Sequence, residues 1–265
     1  LIHFFGPKRS GNHLVLNMIQ KNLLAAHPKR KIILLHNIFQ PGRKDNPPFT
    51  SLVAPDAQNT TMIVTYENVR PADITTLETV QKQLSLLPVN PENIYMAMVI
   101  RDPLNWLASW LKRVDELIAK GELYRPLPQM HISTVRELWE GYAKEALGDT
   151  NYLGPNSFVF DYNKWIKENE YRDNMFRHPF FDIQNNLDLG LLDVPDFADG
   201  SSFDKKNFHG RANEMDVLGR WKDYAGDKRF LSFISHPRVR HLAKRLYGDR
   251  IFQGIEGNIL RSQRV

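Results

Sequence analysis

Residues 94–100 form an unbroken run, Ile-Tyr-Met-Ala-Met-Val-Ile, that ends directly on Arg101. A strand without polar alternation has no face to give to water, so both of its sides must be covered. A central strand of a parallel sheet with helices on both faces meets that condition. Asp102 and Pro103 follow at once, a helix-capping residue and a proline suited to the first helical position. Trp106, Leu107, Trp110, Leu111, Val114, Leu117 and Ile118 then recur at helical spacing. The same strand-to-helix succession repeats along the chain. Short apolar runs at 2–5, 32–35, 62–66 and 158–160 predict four more strands. Helices are expected over about 12–24, 74–87, 133–146 and 164–176. A last helix, carried by Val239, Leu242, Ala243, Leu246 and Tyr247, is expected to close at Gly248. The stretch 182–213, rich in Asp, Gly, Asn and Ser, reads as loops. The expected fold is α/β, a single domain over residues 1–265 with a mostly parallel central sheet flanked by helices.

Composition supports a core of that size, since 42% of the 265 residues are hydrophobic and 25% are charged. No apolar run approaches the roughly 20 residues of a membrane span, and the apolar start is too short for a signal peptide. The absence of cysteine removes disulfides, thiolate metal sites and cysteine nucleophiles, and it fits a reducing, cytoplasmic setting. The formal charge of +5 suggests anionic partners. Lys and Arg are mixed with Asp and Glu throughout, without a polybasic tail, so a polyanionic cofactor accounts for the charge better than nucleic acid does.

Between the first strand and the first helix stands Gly6-Pro7-Lys8-Arg9-Ser10-Gly11-Asn12-His13. Such a loop turns backbone N–H groups toward one point, and the helix N-terminus adds partial positive charge there. Gly6 and Gly11 have the spacing of a nucleotide-binding P-loop, but that motif continues Gly-Lys-Ser/Thr. Here Asn12 and His13 stand instead, so the hydroxyl that anchors magnesium is missing. The cations have moved into the loop as Lys8 and Arg9. A glycine turn that only joins strand to helix has the same appearance. Arg101, at the carboxyl end of its strand, is placed to grip a phosphate, with Ser109 two turns along the following helix. Arg101 capping a carboxylate, with Ser109 packed beside the tryptophans, is the structural alternative. A third element, Gly219-Arg220-Trp221-Lys222, follows a segment with Lys205, Lys206 and Arg211. A tryptophan beside cations suits covering an adenine or a phosphate, and suits a buried helix start equally well.

The ordered set resembles the sulfotransferases that use 3′-phosphoadenosine 5′-phosphosulfate, over about residues 2–222. In that family Pro-x-Arg/Lys-Ser-Gly holds the 5′-phosphosulfate, and Pro7, Lys8, Arg9, Ser10 and Gly11 match it. A later strand ends in Arg-(Asp/Asn)-Pro, with a serine eight residues after the arginine on the 3′-phosphate, as Arg101 and Ser109 stand here. The run Phe158-Val159-Phe160-Asp161-Tyr162 is similar to the family's strand whose tyrosine lies near the nucleotide. Gly219, Arg220 and Trp221 resemble its C-terminal Gly-x-Trp segment, with Arg211 a candidate for the neighbouring basic residues. Two threonines usually follow the loop glycine; the amide of Asn12 and the ring of His13 replace them. The resemblance implies a P-loop-like sulfotransferase architecture, with the phosphosulfate as donor and 3′,5′-adenosine bisphosphate as product.

Sulfuryl transfer needs cations on the leaving phosphate and a base for the acceptor's proton, and it needs no metal. Arg9 is the residue expected to stabilise charge. Glu67 is the leading base, because residues 63–67 fall where many family members have a strand ending in a catalytic histidine. An exposed surface glutamate would look the same. His36, after the strand at 32–35, is the competitor. The nine histidines show no metal spacing along the chain. Trp106, Trp110, Trp139 and Tyr124 suit an apolar acceptor pocket or, more simply, the core. Arg238, Arg240, Lys244 and Arg245 suit an acidic glycan or a solvated face. The acceptor, whether small molecule, glycan or lipid, is not readable. The rival readings are a divergent P-loop kinase and a non-enzymatic module that binds nucleotides or polyanions.

Overall fold

The strand β1 (Ile2–Gly6) sits at the centre of a five-stranded sheet with β2 (Lys31–Leu35), β3 (Thr60–Glu67), β4 (Tyr95–Ile100) and β5 (Ser157–Asp161). The order is β2-β3-β1-β4-β5, and every neighbouring pair is parallel. This computed structural model describes residues 1–36, 59–74, 90–122, 131–181, 183, 188–191, 207–208 and 210–262. All five strands expected from the apolar runs are present, and the sheet is wholly rather than mostly parallel.

The continuous apolar runs are explained by burial on both faces. Along β4, Ala97 and Val99 enter one core while Met98 and Ile100 enter the other. On the first face lie helices α1 (Asn12–Ala26), α5 (Tyr162–Lys167) and α6 (Asn169–Phe176), whose Val15, Leu16, Ile19, Trp165 and Phe176 pack onto Ile2, Phe4 and Phe160. On the second lie α3 (Pro103–Ala119), α4 (Ile132–Ala146), α7 (Lys228–Ile234), α8 (Pro237–Tyr247) and α9 (Glu256–Ser262). A short helix, α2 (Pro71–Ile74), ends where the helix expected over 74–87 would begin, and residues 75–87 lie outside the described residues. Trp106, Trp139 and Trp165 are fully buried, each contributing on the order of 2–3 kcal/mol by burial.

The cap signals behave as their chemistry requires. The Asp102 side chain accepts the Asn105 N–H at 2.8 Å, and Pro103 opens α3. The expected helix over 164–176 is two helices. Its backbone leaves helical geometry at Glu168, which ends α5 and begins α6. Gly248 closes α8 with φ 84°. The basic residues of that helix are engaged at the surface: Arg245 with Asp149 at 2.5 Å, Lys244 with Asp249 at 3.3 Å, and Arg240 over the Phe252 ring. Among the described residues no helix is long and apolar enough to cross a membrane.

The strand order fixes where a ligand would sit. From β1 the chain passes through α1 on the first face toward β2; from β4 it passes through α3 and α4 on the second face to β5. The two directions part between β1 and β4. The crevice at the carboxyl ends of those two strands is the topological switch point, where open parallel sheets bind ligands.

Candidate functional site

Five of the sequence-predicted positions lie at or just past that carboxyl edge: the loop 7–11 after β1, His36 after β2, Glu67 at the end of β3, Arg101 after β4 and Tyr162 after β5.

The loop is shaped by two glycines. Gly11 caps α1 with φ 94°, and the Tyr162 ring occupies the place a Cβ would take, 2.0 Å from its ideal position. At Gly6 the same space is filled by the Asn12 side chain, whose Oδ1 would lie 2.1 Å from a Cβ. Asn12 donates from Nδ2 to the Pro7 carbonyl at 3.3 Å, which also accepts the Ser10 N–H at 3.1 Å. The Lys8 backbone is clamped from both sides. Its N–H donates to Asn68 Oδ1 at 2.7 Å, and its carbonyl accepts the Trp106 indole N–H at 2.8 Å. Arg9 is held at φ 74°, a left-handed conformation that costs a non-glycine residue about 1–3 kcal/mol. No side chain caps α1 and no acidic residue occupies its first turn, so the helix N-terminus presents its partial positive charge to the loop. Among the described residues, Ser10 Oγ and Asn12 Oδ1 are buried there without a hydrogen-bond partner.

Gly11→Ala should therefore destabilise the fold by roughly 2–4 kcal/mol, strain and steric overlap adding, and lower the melting temperature by roughly 5–10 °C. Gly148 has φ 73° with open space around it. Gly148→Ala should cost about 1 kcal/mol, from strain alone. Equal melting shifts in the two variants would show that the Tyr162 ring does not press on the loop.

Arg101 stands across the crevice, 2% exposed. Its Nη1 donates to the Arg9 carbonyl at 3.2 Å and to Ser109 Oγ at 3.3 Å, and its Nη2 donates to the Val217 carbonyl. The guanidinium lies 4.9 Å from the centre of the Tyr162 ring, which thus stands between it and Gly11. Trp139 donates its indole N–H to the Arg101 carbonyl at 3.0 Å and fixes the backbone. Among the described residues Arg101 makes no ion pair, and its Nε has no partner. Burial pushes its pKa down to about 10, and the nearby charge of Arg220 pushes the same way. It is still a cation at neutral pH. The Asp102 carboxylate acts the opposite way but makes no ion pair with it among the described residues, so burial of this charge is costly and an anion drawn to it removes much of that cost.

Beside Tyr162 a cavity of about 170 Å3 opens, lined among others by Leu14, Ile166, Met215 and Leu218. The remaining expected residues scatter. Arg220 reaches Met215 Sδ at 3.9 Å and lies near Arg101. Gly219 precedes the short 3-10 turn Arg220–Tyr224. Trp221 is partly buried against the second core and neighbours Gly254, away from that cavity. Arg211 is exposed and paired with Glu214 at 3.1 Å. Lys205, Lys206 and Tyr124 lie outside the described residues.

Compared with protein-family models and with curated proteins, the chain matches none. The site must be judged on its own geometry.

On the other flank of the loop, the structure joins three residues that are far apart in sequence. His13 Nε2 lies 2.8 Å from His36 Nε2 and 3.8 Å from Glu67 Oε1, and Lys8 Nζ lies 3.9 Å from Glu67 Oε2. Glu67 is register partner to Gly6, so it sits directly beside the start of the loop. One ring of the His13–His36 contact must donate and the other accept, so one of them is neutral. Sequence spacing gave no sign of this cluster, nor of the clamps made by Trp106 and Trp139. Those two tryptophans are fully buried core residues whose indole N–H groups hold the Lys8 and Arg101 carbonyls.

Proposed function

We propose that this chain is a sulfotransferase of the P-loop-like architecture, moving a sulfuryl group from 3′-phosphoadenosine 5′-phosphosulfate to a hydroxyl or amine acceptor. The observation that carries the reading is Arg101: a buried guanidinium without an ion pair among the described residues, bonded to the Arg9 carbonyl of the loop after β1. It makes a second anion position beside the loop, so the ligand that fits has two separated anionic groups. A triphosphate with magnesium is less well served, because the residue where the anchoring hydroxyl would stand is His13, and it turns toward His36 and Glu67.

The residues fit such a donor. Arg9, the loop N–H groups and Ser10 would receive the 5′-phosphosulfate, and Arg101, Ser109 and Arg220 the 3′-phosphate. Tyr162 and the cavity beside it would receive the adenine. The donor supplies an activated sulfuryl group; the chain supplies charge, position and a base. Arg9 and the uncapped end of α1 offset negative charge as it develops on the leaving phosphate. Glu67 accepts the acceptor's proton, beside His13, whose ring is in turn held by His36.

The test is a thermal melt with 3′,5′-adenosine bisphosphate, beside ATP with magnesium and a ligand-free control. At 100 times the dissociation constant the bisphosphate adds ~2.7 kcal/mol, an upward shift of roughly 5–10 °C for a domain of this size. A shift with ATP and magnesium alone would transfer the chain to the kinases. No shift with either would leave a polyanion-binding module, recognised by steep salt dependence.

A further inference from the structure

We propose that His13, His36 and Glu67 form a binding site for a divalent transition-metal ion of the zinc class, beside the anion-binding loop. Each residue offers one ligand atom, and the three atoms all lie within 4.8 Å of one another. His13 Nε2 lies 2.8 Å from the His36 nitrogen and 3.8 Å from the carboxylate. Around a tetrahedral ion with bonds of about 2.0–2.1 Å, ligand atoms stand roughly 3.3–3.5 Å apart. The two His13 spacings lie on either side of that value, so seating an ion requires the imidazole nitrogens to part and the carboxylate to close on His13, each by about half an ångström.

The ligands are carried by three separate regular elements. His13 is in the first turn of α1, His36 directly follows β2, and Glu67 ends β3. Strands β2 and β3 are hydrogen-bonded neighbours, with Leu35 opposite Val64, so the relative placement of two ligands is fixed by the sheet. Sites on such elements hold their geometry better than sites on loops. Two imidazoles and one carboxylate suit borderline ions such as Zn2+, Co2+ or Ni2+ and are a poor set for Mg2+ or Ca2+. Three protein ligands also leave a coordination position for water or another molecule. Lys8 does not block the site. Its ammonium approaches Glu67 Oε2, whereas His13 faces Oε1, and the Lys8 side chain is 45% exposed and able to turn away.

Metal binding at this place is independent of sulfuryl transfer. The two meet in one consequence. An ion engages the lone pairs of Glu67 and His36, so on the transfer reading zinc inhibits and a chelator restores activity.

The test uses the whole chain, stripped with a chelator and titrated calorimetrically with Zn2+, with Co2+ as a spectroscopic probe. One equivalent of Zn2+ is expected to bind with a Kd of about 1 µM or tighter, and Co2+ should give the intense visible bands of a low-coordinate site. His36→Ala and Glu67→Gln should each weaken Zn2+ binding by about 100-fold, a loss of one ligand from three. His131→Ala, at an exposed histidine that makes no capping bond, should bind as the unaltered chain does. Melting of the metal-free variants checks that they fold; should His36→Ala not fold, Glu67→Gln decides alone. Binding no tighter than about 100 µM in the unaltered chain, or equal binding by the His36 and His131 variants, overturns the site. Because the titration needs no turnover, zinc binding without any response to the bisphosphate would sink the transferase reading and leave the metal site standing.

Discussion

Arg101→Ala is expected to raise the dissociation constant for 3′,5′-adenosine bisphosphate by roughly 30- to 1,000-fold, equivalent to ~2–4 kcal/mol. The size of the effect follows from burial. Water screens a phosphate on a surface arginine, whereas the Arg101 guanidinium is 2% exposed and sits over the face of Tyr162. Its hydrogen bonds go to two backbone carbonyls and one hydroxyl, and none goes to a carboxylate. The neighbouring Asp102 carboxylate acts on it from a distance, and an incoming phosphate would be the first anion to bond it among the described residues. The substitution also removes three hydrogen bonds of a buried side chain, a folding cost that the melt of the ligand-free variant reads by itself. That separates a binding effect from a folding effect. Calorimetric titration beside a melt of the free variant reads both. Arg101→Lys keeps a charge and loses the planar fork, so its affinity should fall between the two. Undiminished affinity in the folded alanine variant would remove Arg101 from the ligand and reduce it to a strut between the loop and the segment at Val217.

Much of the frame was legible because it depends on local chemistry. Unalternating apolar runs at residues 95–100 and 2–6 demand cover on both faces, and only a parallel sheet between helix layers supplies it. The caps at Asp102 and Gly248 act within a few residues and were equally readable. The break at Glu168 was not, because Trp165, Ile166, Tyr171, Met175 and Phe176 all pack into one core and keep an apolar rhythm across it. Helices α7 and α9 are too short, at seven residues each, for periodicity to declare them. The anion loop showed itself as a contiguous stretch. The His13–His36–Glu67 cluster did not, since it exists only because β2 pairs with β3 and α1 starts above both. That is a property of strand order, and no spacing in the chain encodes it. Helical spacing likewise placed Trp106 and Trp139 in the core, but it could not say which carbonyls their indole N–H groups would hold.

Glu67→Gln is expected to lower turnover by about 10²–10⁴-fold while leaving bisphosphate affinity unchanged. The amide keeps the shape of the side chain and its contact with His13 and removes its capacity to take a proton. Register makes Glu67 the better base: it lies opposite Gly6 across the β1–β3 pair, at the mouth of the loop. His36 stands one strand farther out and reaches the loop through His13. On this arrangement His36→Gln should slow turnover by about tenfold, through loss of the contact that holds the His13 ring beside Glu67. The double variant should be little worse than Glu67→Gln alone, because residues that act as a unit are not additive. Release of bisphosphate from the phosphosulfate, measured against a panel of phenols, alcohols, amines and glycans, gives the rates and narrows the acceptor together. If Glu67→Gln keeps full turnover and His36→Gln loses it, the base is His36 and Glu67 serves to orient His13. If both keep it, neither carries the proton, and the cluster at the end of β2 and β3 is left with the metal ion as its chemistry.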